Sequence, residues 1–311
     1  MATVGVDIGG TKIAAGVVDV DGTLLADIQW PTTPDDPAAI DRSIIKAIEE
    51  FSRSYSLTAV GVAACGYVAA DRSTVQFAGN VNWRNYPLGE NLAAALTLPV
   101  VVENDANAAG WAEFAFGAGR ENSSMVMFTV GTGLGGAIVL DNKLVRGGFG
   151  GAGEVGHMVA VPHGHYCGCG HEGCFEMYAS GTALTRAARR RSVALPTSMA
   201  AISKRAKGKK IRGQHVSAAA EAGDAVALEM VASLGTWLGR AAASLTAIVD
   251  PEIIIIGGGV VHAGDVLLEP ARRAFRETVF AAEYRQLPSI EAASFGNDGG
   301  MIGAGDLARY R

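Results

Sequence analysis

The sequence is short of charge. Asp, Glu, Lys and Arg make up 18% of its 311 residues, against about 25% in an average soluble domain. What charge there is leans acidic, with 31 acidic and 26 basic side chains and a formal net charge of −5. An extended nucleic-acid surface needs a basic face to neutralise phosphates, so the composition argues against that partner. Long apolar runs are missing too. The longest, Ala241 to Val249 and Ile253 to Val261, are broken by Thr or Gly and fall short of the roughly 20 residues that span a bilayer. The opening MATVGVDIGGTK lacks the basic region, apolar stretch and small-residue cleavage site of a secretory leader. These absences predict a soluble cytoplasmic protein, with no membrane partner, that acts on small molecules.

Cysteine is scarce and unevenly placed. Of four, Cys65 stands alone at the end of an apolar run, while Cys167, Cys169 and Cys174 fall within eight residues. Cys167 and Cys169 are too close for a relaxed disulfide, so a metal cluster plus one buried thiol in a reducing compartment is the better reading.

Two classes of residue are abundant. Hydrophobic residues make up 49% of the chain, enough to offset the entropy of ordering, which excludes intrinsic disorder. Glycine supplies 41 residues, nearly twice its usual share of about 7%, without a collagen-like period. The length exceeds the roughly 250 residues at which single cores stop growing, which predicts two domains, or one large one with a cleft.

Along the chain, apolar segments from Val4 to Ile8, Ile13 to Val18 and Thr23 to Gln29, separated by Gly9-Gly10 and Asp21-Gly22, predict an antiparallel meander. A helix from about Asp36 to Ser54 follows, with Ile40, Ile44, Ile45, Ile48 and Phe51 on one face. A strand is expected at Ala59 to Ala64, a short helix at Leu88 to Leu96, and a strand from Val100 ending in Glu103-Asn104-Asp105. Helical spacing resumes through Ala106, Ala109, Ala112, Glu113 and Phe116 and stops at Gly117, the start of a hinge to Asn122. Met125 to Val130, the loop Gly131 to Gly136 and Ala137 to Leu140 repeat the first strand, glycine turn and strand, an internal echo that suggests two related domains facing each other. A long amphipathic helix from Asp224 to Ile248 precedes the strand Ile253 to Ile256. A short helix from Met301 to Tyr310 follows the last glycine cluster.

Several of these turns could carry chemistry. Asp7-Ile8-Gly9-Gly10-Thr11-Lys12 sets two glycines and a hydroxyl at a hairpin tip, where backbone N–H groups can approach a phosphate without Cβ interference. Gly131-Thr132-Gly133-Leu134-Gly135-Gly136 does the same in the second half, and neither has Walker spacing. One glycine hairpin is usually a plain turn; two that end buried strands beside a threonine favour phosphate. Gly257-Gly258-Gly259, after an all-isoleucine strand, suits either close approach to a nucleotide or a packing turn. Asn104 and Asp105 read as a helix cap, but Glu103 and Asn107 make the whole turn polar at a strand end, the usual place for ligand groups in α/β sheets. Cys167-x-Cys169-x4-Cys174 with nearby histidines matches a Cys3His structural zinc site. Spacing leaves the fourth ligand open among His157, His163, His165 and His171. Glu154 and Glu176 bracket this cluster and could accept hydroxyl hydrogens. The run Lys204 to Arg212 reads as a solvated mobile loop in preference to a polyanion patch.

Asp7 to Lys12, Glu103 to Ala109, Gly131 to Gly136, Glu154-Val155-Gly156-His157 and the Cys167 to Glu176 cluster occur in the order and approximate spacing of the ROK family of sugar kinases and repressors. The chain resembles that family over nearly its whole length, and its glucose-kinase branch most. The resemblance implies the actin-like ATPase (ribonuclease H-like) α/β fold, with two α/β domains around a cleft. They would be a small domain of residues 1–116 plus 297–311 and a large domain of 117–296 holding the zinc loop.

The resemblance also implies Asp105 as general base toward a sugar 6-hydroxyl, with Asn104 beside it. Asn80, Glu154, His157 and Glu176 would hold the other hydroxyls. Gly9 to Lys12 and Gly131 to Gly133 would hold ATP phosphates, with Asp7 near Mg2+; Gly257 to Gly259, on the reading of their own position given above, are expected at the nucleotide beside them. His157 would join Cys167, Cys169 and Cys174 on structural Zn2+, and domain closure would exclude water. Glucose is the leading substrate, ahead of N-acetylglucosamine, N-acetylmannosamine, mannose and fructose; a silent sugar-binding regulator and a polyphosphate donor are the other readings. Repressor members carry a helix-turn-helix ahead of the kinase-like part; with Asp7 so near the start of this sequence, none is expected here. A homodimer or homotetramer is implied. The glycine surplus then maps to places where backbone meets phosphate, sugar or metal loop.

Overall fold

The small and β-branched residues of the N-terminus form β1 (Ala2–Ile8) and β2 (Lys12–Val18), joined by the Gly9-Gly10 turn, and β3 (Leu24–Pro31) completes the expected meander. The computed structural model describes residues 1–310. Helix α1 (Pro37–Ser52) begins at Asp36, whose Oδ1 accepts the Ala39 N–H at 2.9 Å, and buries Ile40, Ile44, Ile48 and Phe51. Strand β4 (Leu57–Ala64) lies parallel to β1. Three strands that no periodicity announces, β5 (Tyr67–Val68), β6 (Val75–Phe77) and β7 (Arg84–Tyr86), form a small antiparallel sheet. Helix α2 (Leu88–Leu96) leads to β8 (Val100–Asn104), parallel to β4, and then to α3 (Asp105–Ala115). The first sheet runs β3-β2-β1-β4-β8.

The second half starts with β9 (Met125–Val130), β10 (Leu134–Leu140) and β11 (Lys143–Leu144). Helices α4 (Gly181–Ala194), α5 (Ala200–Ala206), α6 (Gly213–Glu221) and α7 (Ala225–Val249) follow. Strand β12 (Ile253–Gly257) lies between β9 and β13 (Ser289–Ala292), parallel to both, with α8 (Asp265–Thr278) as the crossover. Helix α9 (Gly299–Leu307) ends the fold. The second sheet, β11-β10-β9-β12-β13, repeats the order of the first: an antiparallel hairpin at one edge, then parallel strands. The echo between residues 4–18 and 125–140 is thus a repeated topology.

Three expectations need correction. Strand β10 starts at Leu134, so Leu134-Gly135-Gly136 belong to a strand and only Gly131 to Gly133 form the turn. The basic run is not all loop, because Lys204 and Arg205 lie in α5, held by burial of Ile202 and Ala206. Helix α9 takes in Gly299 and Gly300, which the sequence pattern put ahead of it.

Two compact units emerge. One comprises residues 1–123, 137–153 and the described residues from Ser294 on; the other comprises 124–136 and 154–293. Residues 137–153 are a chain segment that a single boundary near Gly117 does not separate. Arg146 paired to Glu103 and the Tyr67 hydroxyl donating to the Phe149 carbonyl hold this segment in the first unit. Buried Glu113 of α3 fastens the later return, accepting the Ser294 and Phe295 N–H groups at 2.7 and 2.8 Å, and it also accepts from Ala118 at 3.1 Å.

The glycine surplus does more packing than the sequence suggests. A Cβ on Gly5 would lie 1.7 Å from the Met301 carbonyl oxygen, one on Gly61 1.7 Å from that of Ala304, and one on Gly303 1.8 Å from that of Ala108. Helix α9 therefore rests on β1, β4 and α3 with backbone against backbone. In the second unit Gly235 and Gly239 let α7 meet α8 in the same way. Gly61→Ala is expected to cost about 3 kcal/mol or more, since a central strand and a helix must part. Denaturant unfolding measures it, and a loss under about 1 kcal/mol would contradict this packing.

Candidate functional site

In the first unit, the parallel strands β1, β4 and β8 end in register, Ile8 opposite Ala64 and Ala64 opposite Asn104. Asp7, Cys65, Asn104 and Asp105 therefore gather at one carboxyl edge. The β1–β2 turn is closed by the Gly9 N–H donating to the Lys12 carbonyl at 2.9 Å and by the Thr32 hydroxyl donating to the Gly9 carbonyl at 2.7 Å. Thr11 and Lys12 are exposed at its tip. A Cβ on Gly10 would lie 2.8 Å from Cβ of Asn80, so the turn sits directly on Asn80, in the loop between β6 and β7.

Asp7 meets the start of α9, where a Cβ on Gly300 would lie 2.8 Å from its Cγ. Burial, then the charge of Asp105, push Asp7 up to about 7, with Lys12 pulling the other way. The folded carboxyl thus holds its proton more tightly than the same group in an unfolded chain. Keeping it ionised costs stability, a cost fully present above about pH 7 and relieved as pH falls toward its ordinary 3.8. Between pH 8 and 5, without nucleotide or Mg2+, the wild type should gain melting temperature relative to Asp7→Asn; parallel curves would refute this. Cys65 is pushed up to about 12 by burial and then by Asp105 and Asp7, so it stays a thiol, as its burial at a strand end predicts.

The turn from β8 into α3 is both cap and site. The Asn104 Oδ1 accepts the Asn107 N–H at 3.0 Å, and its Nδ2 donates to the Gly66 carbonyl at 3.1 Å. This fixes Asp105 as the first residue of α3, half-buried, with its Oδ1 2.9 Å from the Ala106 N. Behind it lies a group that sequence reading missed as a unit. Glu103 is buried, receives the Arg146 Nε at 2.6 Å, and lies 3.9 Å from Arg72 Nε. Glu103 itself was visible as a polar flank; Arg146, 43 residues away, carried no signal.

In the second unit, the Gly131 N–H donates to the Gly133 carbonyl at 3.1 Å to close the second glycine turn. The start of α4 docks on it, with the Gly181 N–H on the Gly131 carbonyl at 2.8 Å and the Thr182 hydroxyl on the Thr132 carbonyl at 2.7 Å. Gly258, at φ +85°, comes so close to Val130 that a Cβ would lie 2.4 Å from the Val130 carbonyl oxygen. This brings Gly257 to Gly259 beside the same turn. Glu176 is there as well: a Cβ on Gly133 would lie 2.8 Å from its Oε2, which also accepts the Leu134 N–H at 3.4 Å. Its Oε1 accepts from Cys167 Sγ at 3.2 Å. Glu176 therefore joins the glycine turn to the cysteine cluster.

That cluster is built by short-range pairing. Val159 bridges Cys174, and the Cys167 N–H donates to the His171 carbonyl at 2.8 Å. Ligand atoms of His157, Cys167, Cys169 and Cys174 all lie within 4.8 Å of one another. Cys169 and Cys174 sulfurs are 3.5 Å apart, and Cys167 Sγ is 3.9 Å from His157 Nδ1. A tetrahedral zinc with Zn–S near 2.3 Å sets ligand edges of about 3.8 Å, so these residues fit a closed structural zinc site. Of the four histidines that spacing left open, His157 is the one in the four-residue group; His171 approaches only Cys169, at 3.7 Å. Glu154 immediately precedes the short 3-10 turn Val155–His157.

Among the described residues, no helix is long and apolar enough to cross a membrane. A sequence profile of the ROK family matches residues 3–311. The glucokinase of Streptomyces coelicolor is 46% identical over 309 residues, 99% of this chain and 97% of that one. The crystal structure of a ROK family glucokinase from Streptomyces griseus in complex with glucose and AMPPNP aligns over 100% of both chains, with 45% identity and a TM-score of 0.91. The ROK hexokinase from Thermus thermophilus aligns over 99% of this chain and 98% of that one, with 32% identity and a TM-score of 0.81. The α/β fold with mixed sheets agrees with the actin-like ATPase fold expected from the sequence.

Proposed function

The chain belongs to the ROK family, and we propose on that footing that it phosphorylates glucose at the 6-hydroxyl with ATP as donor. The observation that carries this reading is the match over 100% of both chains to the Streptomyces griseus glucokinase, whose structure holds glucose and a non-hydrolysable ATP analogue.

Asp105 is the general base in this reading. Its carboxylate takes the proton of the sugar 6-hydroxyl as the oxygen attacks the γ-phosphorus in line and the bond to the ADP oxygen breaks. Asn104 and Asn80 in the first unit, and Glu154, His157 and Glu176 in the second, hold the remaining hydroxyls. Backbone N–H groups of Gly9 to Lys12 and Gly131 to Gly133 cradle phosphates, with Gly257 to Gly259 close to the nucleotide. Mg2+ beside Asp7 would neutralise charge on the transferring phosphoryl group, where positioning and electrostatics supply most of the catalysis. Zinc on His157, Cys167, Cys169 and Cys174 would fix the loop that presents His157 and Glu176. A cytoplasmic location is in keeping with ATP as donor and with four cysteines that form no disulfide.

A matrix of hexoses against donors tests the reading through ADP or phosphate release. The expected result is the highest kcat/KM for glucose with MgATP. N-acetylmannosamine or another sugar exceeding glucose tenfold would move the assignment to that sugar, and polyphosphate exceeding ATP would move the donor. Absence of any transfer would leave a sugar-binding regulator.

A further inference from the structure

Glu103 is not itself assigned to substrate and meets the sugar-binding set only at the backbone of Asn104, yet its carboxylate has four neighbours in the first unit. Oε1 accepts the Asn104 N–H and the Asn107 Nδ2, both at 3.1 Å. Oε2 accepts the Arg146 Nε at 2.6 Å and has Arg72 Nε at 3.9 Å. One buried acid thus holds both sides of the turn that carries Asp105, and it stands between two guanidiniums. Burial and the nearness of Arg146 lower the Arg72 pKa, and Glu103 opposes both.

Arg146 opens a loop that closes on itself through the Ala152 N–H donating to the Arg146 carbonyl at 3.0 Å. That loop is seated on the segment after β4. Tyr67 OH donates to the Phe149 carbonyl at 3.2 Å, and a Cβ on Gly150 would lie 2.3 Å from the Val68 carbonyl oxygen. Gly66, next to Tyr67, supplies the carbonyl that receives Asn104. The contacts close a ring: Glu103 to Arg146, along the loop to Tyr67, back through Gly66 to Asn104, and so to Glu103. Two residues beyond Ala152 the chain reaches Glu154, assigned above to a sugar hydroxyl.

We propose that the Glu103–Arg146 pair is a positioning device for the phosphoryl-transfer reaction, locking the turn that carries Asp105 to the loop that leads into Glu154. It rests on the reading of Asp105 as base, because the pair acts through that residue. A salt bridge kept only for stability would affect binding and turnover through folding alone. A positioning pair affects kcat through the base, and an ångström of misplacement can cost about 100-fold.

The test uses the full chain with glucose and MgATP. Arg146→Met and Glu103→Gln are each expected to lower kcat about 10- to 100-fold, with the KM of both substrates within about threefold of wild type. Arg146→Lys, which keeps the charge, should recover part of the loss. In an Asp105→Asn background, followed over hours by product detection, the same changes should cost nothing further, since residues acting as one unit are not additive. Equal fold-losses in both backgrounds, or Arg146→Met with wild-type kcat, would overturn the proposal. Wild-type turnover by Asp105→Asn alone would instead overturn the base assignment, and the pair's role with it. Arg146 is partly exposed, so its variants carry the test if Glu103→Gln does not fold.

Discussion

Asp105→Asn is expected to lower turnover of glucose about 10²- to 10⁴-fold, the usual contribution of a general base, equivalent to roughly 3–5 kcal/mol of transition-state stabilisation. The fold should survive. Asn retains the side-chain oxygen that lies near the Ala106 N, and loss of a negative charge at the start of α3 forfeits only about 0.3–1 kcal/mol of interaction with the helix dipole. Against that, Asp105 is one cause of the raised pKa of both Asp7 and Cys65, so its neutralisation relieves Asp7. Melting temperature should therefore change little while kcat collapses, and the KM for glucose should move far less than kcat because the amide keeps the shape of the carboxylate. Initial rates of ADP release with a melting curve on the same preparation decide the matter. Turnover within threefold of wild type would remove Asp105 from the role of base.

The Asp105 turn was legible because its signals are local: an apolar strand, a capping residue and the start of helical spacing follow one another from Val100 to Asn107. The meander and its echo were legible for the same reason, strand pattern and glycine turn being adjacent in the chain. The ion pair behind the turn was not. Glu103 and Arg146 are ordinary charged residues in sequence, and only the return of residues 137–153 to the first unit makes one the partner of the other. The glycines divide along the same line. Those in hairpins announce themselves, while Gly5, Gly61 and Gly303 are glycine because α9 lies across them, a contact made by residues hundreds of positions apart for the first two. Strands β5 to β7, of two or three residues each, are too short for alternation to register. The basic run was read as loop throughout because charge masked the two apolar residues, Ile202 and Ala206, that bury α5.

Stripping zinc is expected to have a large effect by a different route, on stability and on glucose KM together. Cys167 is fully buried and Cys174 nearly so, so without metal the loop would have to keep thiols and an imidazole packed against one another with little else to hold them. Apparent binding energies of structural zinc in small domains are about 10–16 kcal/mol, far more than the few backbone hydrogen bonds of this loop supply. The consequence would reach the substrate through Glu176, which lies against Cys167, the Gly131 to Gly133 turn and the Leu134 N–H, and through His157, proposed above to serve both metal and sugar. Chelator-treated protein, verified metal-free by elemental analysis, should lose melting temperature and show a KM for glucose raised at least about tenfold, the lower range for disturbing a metal's supporting shell. Cys167→Ser should reproduce both effects, and added Zn2+ should rescue the stripped wild type but not the variant. Metal-free protein with unchanged stability and unchanged glucose KM would mean that the four ligands hold the loop by packing alone, and the coupling of metal to substrate geometry would fall.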